Sequence, residues 1–104
     1  MKKRYKQLIK KHVNIVKNMY PQLYIEIEED WDEIFICIDS QAISNEVEYE
    51  AIIRNFIKEY HRKGYANIFW GVNSTLTCDK LDLLEDLDKI PVAENFKEKR
   101  AANF

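Results

Sequence analysis

Few residues in this 104-residue chain could do covalent or metal chemistry: Cys37 and Cys78, His12 and His61, and hydroxyls such as that of Ser74. The thiol of Cys78 or the hydroxyl of Ser74 becomes a nucleophile only if folding brings a base such as His61 beside it. Neither lies in the strand-turn-helix setting that lifts a nucleophile out of a fold, so no catalytic residue is assigned and no enzyme is expected. The two cysteines lie 41 positions apart and the two histidines on different predicted helices, which gives no local metal-ligand spacing. Reducing conditions would keep both cysteines as thiols, and both are expected as small, mostly buried side chains. On a helix, the pairs Asp79–Asp82 and Asp82–Asp86 would share a face and could hold a hard cation. They lack a second ligand set, and a solvated acidic face is the simpler reading. Glycine occurs only at 64 and 71, so a glycine-rich phosphate loop is excluded. Neither metal nor cofactor is expected.

His12 falls on the apolar stripe of a predicted helix, where a hydrogen-bonded, partly buried imidazole is the ordinary outcome. His61, near a helix C-terminus, is accounted for by the negative end of the helix dipole.

Charge is the stronger signal. Residues 1–25 hold seven basic residues (Lys2, Lys3, Arg4, Lys6, Lys10, Lys11, Lys17) and no acid, against a net charge of −2 for the whole chain. Two acidic clusters follow. One is Glu26, Glu28, Glu29, Asp30, Asp32 and Glu33, with Trp31 in its midst; the other is Asp79, Asp82, Glu85, Asp86 and Asp88. Such runs serve solubility in many proteins. Trp31 adds something that solubility does not require, because aromatic side chains are enriched at binding hot spots. The expectation is therefore a protein-binding surface made by Glu28, Glu29, Asp30, Trp31, Asp32, Glu33, Asp79, Asp82 and Asp86, steered by charge toward a basic protein partner. An inhibitor of a basic nucleic-acid-processing enzyme such as a nuclease, of the toxin-immunity or phage anti-defence kind, has this size, acidity and lack of catalytic groups. The alternative is a homo-oligomeric structural or regulatory module, in which the basic helix of one subunit meets the acidic surface of the next. A further alternative is a weak nucleic-acid binder using the same helix, disfavoured because the chain is acidic overall and has no groove-reading motif.

The elements that must position these residues follow from periodicity. Tyr5, Leu8, Ile9, Val13, Ile15, Val16, Met19 and Tyr20 give helical periodicity with a broad apolar face, predicting a helix over residues 3–19, stopped by Pro21. Leu23, Ile25 and Ile27 alternate with polar residues, and Ile34, Ile36 and Ile38 form a second alternating row, predicting an antiparallel hairpin. Its connection lacks the Asn-Gly or Asp-Gly of a two-residue turn, so a loop of four or five residues is expected. Ser44 or Asn45 should cap a second helix over 46–63, with Ala51, Ile52, Ile53, Phe56, Ile57 and Tyr60 inward and Gly64 just beyond its end. Residues 66–72 are rich in β-formers and predict a third strand. Residues 75–78 make a short fourth strand or an extended loop, and leucines at 81, 83, 84 and 87 predict a third helix over 79–89.

The order α-β-β-α-β-(β)-α belongs to the α+β class: a small, mostly antiparallel sheet of three or four strands with packed helices. Phe35 and Cys37 make the second face of the sheet apolar too, to be covered by helix 3, the C-terminal segment or another subunit. The length and 46% apolar content fit a single domain spanning 1–104, with 91–104 a frayed C-terminal segment. No apolar run approaches the roughly 20 residues of a spanning helix, so no membrane is expected. The basic start is followed by Lys10, Lys11, His12 and Asn14 where a signal peptide's apolar region would lie, so the cytoplasm is expected.

Overall fold

The computed structural model describes residues 2–43 and 45–81. Helix α1 spans Lys3–Met19, strand β1 Ile25–Asp30, strand β2 Glu33–Asp39, helix α2 Glu46–Arg62 and strand β3 Ile68–Asn73, with a short 3-10 turn at Ser40–Ala42. The fold is α+β, as the periodicities predict.

α1 starts against its own electrostatics. Its first turn carries no acid and its N-cap, Lys2, makes no side-chain cap, so its basic residues crowd the positive end of the helix dipole. Aromatic contacts offset this: the Arg4 guanidinium lies 5.4 Å from the ring centres of both Tyr5 and Tyr65, and those two rings meet edge-on at 4.7 Å. Further along, Leu8, Ile9, Val13 and Val16 turn into the core.

α2 is fixed at both ends by its sequence. Asn45 accepts a hydrogen bond from the Glu48 N–H at 3.1 Å, and Glu46 and Glu48 occupy the favourable first turn. At the other end Tyr65 N–H donates to Tyr60 C=O at 2.8 Å and Gly64 N–H to His61 C=O at 3.1 Å. That pair of bonds is a Schellman closure, and Gly64 supplies the left-handed residue it needs at φ 76°. Tyr49, Ile53, Phe56 and Tyr60 form the buried stripe. Ile52 and Ile57 are half-buried at its margins, and Ala51, expected inside, is exposed.

The sheet order is β1-β2-β3. β1 and β2 are antiparallel, Ile25 facing Ile38 and Asp30 facing Glu33. β3 runs parallel to β2, Ile34 facing Ile68 and Asp39 facing Asn73. The sheet is thus mixed rather than mostly antiparallel, because α2 carries the chain back along the sheet before β3 begins. Ile25, Ile27, Ile34, Ile36, Ile38 and Ile68 point at the helices and are buried with them in one cluster. The connection between β1 and β2 is two residues, Trp31-Asp32, not the four or five expected.

No fourth strand forms over 75–78. Asn73 instead accepts from the Thr75 N–H and hydroxyl, closing a turn. Residues 79–81, where the third helix was expected to start, are not helical; the rest of that predicted helix and the 91–104 segment lie outside the described residues. At Lys80 the chain forms a parallel bridge to Glu26, with Lys80 N–H donating to Ile25 C=O at 2.7 Å and Ile27 N–H to Lys80 C=O at 2.9 Å.

Candidate functional site

Alternation along β1 and β2 sends one row of side chains into the core and the other outward, and the distal half of the hairpin extends this into solvent. Glu28, Glu29, Asp30, Trp31, Asp32 and Glu33 are all exposed there. Six of the nine residues assigned to a binding surface are therefore brought together by one hairpin.

The tip departs from local preference in two ways. Asp30 and Glu33 are directly opposed across the ladder, a like-charge pair that weakens a hairpin. Trp31 has φ 58°, the left-handed region that suits glycine and asparagine and penalises a bulky side chain. Of the two turn residues only Trp31 has a positive φ, a place that tight hairpin turns usually give to glycine, asparagine or aspartate. Trp31 is also 94% exposed, so neither burial nor packing offsets its backbone cost. One contact braces the turn from below: Asn67 Nδ2 donates to the Asp32 carbonyl at 2.6 Å. Beside it lies an open depression between the N-terminus of α1 and β3, lined by Lys2, Tyr5, Glu29, Asp32, Glu33 and Phe69 among others.

The second acidic cluster does not join this tip. Asp79 accepts from Lys17 Nζ and from the Ile25 N–H, both at 2.9 Å, bracing the chain where β1 starts, at the other end of the strand. Asp82 and Asp86 lie outside the described residues.

Cys37 is half-buried on the outer face of the sheet, where burial and then the nearby Glu26 and Glu28 push its thiol above the ordinary value. Cys78 is exposed, contrary to the expectation of a buried side chain, because it lies in the loop beyond β3. Among the described residues no hydrogen bond links Cys78 or Ser74 to His61, and no cluster of three or more His, Cys, Asp or Glu could hold a metal ion. No helix among them is long and apolar enough to cross a membrane.

A polar chain that sequence reasoning did not assemble joins α1, α2 and β3. Trp70 Nε1 donates to Tyr60 Oη at 2.8 Å, Tyr60 Oη is 2.7 Å from His12 Nδ1, and His12 Nε2 is 3.0 Å from Glu59 Oε1. An indole can only donate and a carboxylate can only accept, so Tyr60 Oη accepts from Trp70, the neutral imidazole must donate to Glu59, and the Tyr60 hydroxyl donates to the bare Nδ1. The imidazole proton then sits on Nε2 and is donated to Glu59, which Lys11 also contacts at 3.4 Å. The ring stacks on Phe56 at 3.9 Å between centroids. Burial holds His12 below the ordinary histidine value even though Glu59 pulls the other way. Glu59 is in turn held below the usual carboxylate value, chiefly by the hydrogen bond from His12. With both nitrogens bonded and no exposed surface, this imidazole ties helices together and offers nothing to a bound molecule. Its helical stripe position was the only legible sign, since Tyr60 and Trp70 approach from far along the chain.

No family model matches the chain, and no match is found among curated proteins or among solved structures.

Proposed function

We propose that this chain is a non-catalytic protein-binding module whose β1–β2 hairpin engages a basic protein, in the manner of an inhibitor occupying the cationic groove of a nucleic-acid-processing enzyme. The observation that carries the reading is Trp31, held left-handed and 94% exposed at the apex of a turn flanked by carboxylates. A fold that keeps an unburied tryptophan in an unfavourable conformation, beside the opposed acids Asp30 and Glu33, gives up stability at that point. Such local costs concentrate where a surface is kept for a partner. The carboxylates present negative charge where phosphates sit in such a groove, and the indole supplies the apolar anchor.

The test is to isolate the partner with the tagged chain and measure association and dissociation rates at low and high salt. Wild-type association should fall with salt, and reversing Asp30 and Asp32 to lysine should slow it by about tenfold or more. Trp31→Ala should leave association nearly unchanged and speed dissociation by roughly 30-fold, the equivalent of about 2 kcal/mol at a hot spot. Wild-type rates in both variants would remove the hairpin from the interface.

A further inference from the structure

The two edges of the sheet are finished differently. β1 carries four acids in six residues, and Lys80 pairs along its outer side. β3, Ile68-Phe69-Trp70-Gly71-Val72-Asn73, contains no charge, no proline and no bulge, and no segment among the described residues pairs with its outer side. Edges left in this state are the ones that add another strand. Ile34 N–H donates to Asn67 C=O at 2.8 Å, which fixes the phase of the ladder. The backbone groups of Phe69, Gly71 and Asn73 therefore face β2, and those of Ile68, Trp70 and Val72 face outward. Phe69 and Val72, on opposite faces of this edge, are 42% and 53% exposed.

We propose that β3 is a self-association edge that pairs antiparallel with β3 of a second copy about a twofold axis at Trp70. This register sets Trp70 against its own counterpart and Ile68 against Val72, so all three outward-facing residues of each copy are hydrogen-bonded. The product is a continuous six-stranded sheet with the described helices of both copies on one side.

Two observations choose a second copy over a partner of different chemistry. A twofold contact opposes each group to itself or a near neighbour, which a neutral strand tolerates and the acidic β1 would not. Gly71 is the other. A Cβ there would meet only Cys37 Sγ, at an ordinary 3.9 Å, and its backbone needs no positive φ, so its own protomer does not require glycine. The proposed register puts Phe69 of the second copy directly across from Gly71 on the outer face, in the close, non-hydrogen-bonded type of pair. An aromatic ring lying over a strand glycine fills the space that the missing side chain leaves.

A contact this small gives weak, concentration-dependent association. The test is sedimentation of the full chain from about 10 µM to about 1 mM, in low and in high salt, with amide exchange followed by NMR over the same range. A dimer should grow with concentration and not weaken with salt, and the amides of Ile68, Trp70 and Val72 should gain protection while those of Phe69 and Gly71 do not change. Val72→Pro removes one outward N–H without touching the ladder to β2, and Val72→Lys places a charge beside the other copy's Ile68. Each should keep the wild-type thermal midpoint within a few degrees and raise the dimer dissociation constant at least tenfold. A chain monomeric at about 1 mM, a dimer that dissolves in salt, or one that survives both substitutions would overturn the proposal.

Discussion

His12 shows how one buried residue makes a fold sensitive to acid. Its imidazole is neutral in the folded chain and held below the 6.5 at which an unfolded histidine titrates. Between those two values the unfolded chain binds one more proton, so lowering the pH favours unfolding. The stability is fully present above the unfolded value and is lost as pH falls through the folded one; Glu59, also lowered, extends the loss below 4.5. The denaturant midpoint should therefore fall from about pH 7 to about pH 5, and His12→Phe should flatten that slope while lowering the whole curve. An equal slope in the variant would place the acid sensitivity elsewhere. At the hairpin, Trp31→Gly should raise stability by about 0.5–1 kcal/mol by relieving the left-handed strain, measured by urea unfolding. The same change should weaken partner binding, so stability and binding would move in opposite directions. These features were only half legible. A histidine on an apolar stripe announces a bonded imidazole, but nothing local tells that Tyr60 and Trp70 complete it, and tryptophan has no propensity for the left-handed region.

At the level of elements, α2 was the most readable because every signal acts within a turn of its own residue: the Asn45 cap, the acidic first turn, the aromatic stripe and Gly64. Phe56 sits at its centre, buried beneath His12 and 5.5 Å from the Trp70 ring centre. Phe56→Ala should cost about 3–5 kcal/mol, and Asn45→Ala about 1 kcal/mol, both read from denaturant midpoints. Equal effects would mean that the stripe contributes no more than the cap. The elements misjudged are those whose geometry is decided elsewhere. A two-residue turn was not expected because Trp31-Asp32 has none of the usual turn chemistry, and its length is set by the isoleucine rows that lock β1 to β2. The direction of β3 is likewise set by α2, whose length returns the chain to the end of the sheet from which β2 began.

At the scale of the whole molecule, ion pairs among the described residues join the basic and acidic segments that the sequence keeps apart. Lys17 meets Asp79, Lys11 meets Glu59 and Lys80 meets Glu26, all away from the hairpin tip, whose acids are exposed. Composition made that asymmetry plain; which acids are braces and which form the tip depended on tertiary placement. The mixed sheet also sets an order of assembly. Hairpin rungs join residues as close as Asp30 and Glu33, whereas each rung between β2 and β3 joins residues 34 apart, from Ile34–Ile68 to Asp39–Asn73. Closing the longer loop costs more chain entropy before any contact rewards it, so the hairpin with its helices should form the folding nucleus and β3 should dock last. Ile27→Val should then mainly slow refolding, and Ile68→Val should mainly hasten unfolding, in stopped-flow chevrons. On that sequence of events the chain passes through a state in which β2, with its buried isoleucine row, is briefly an open edge. The neutral strand that finally covers it is then the last part of the sheet to arrive and the first to leave.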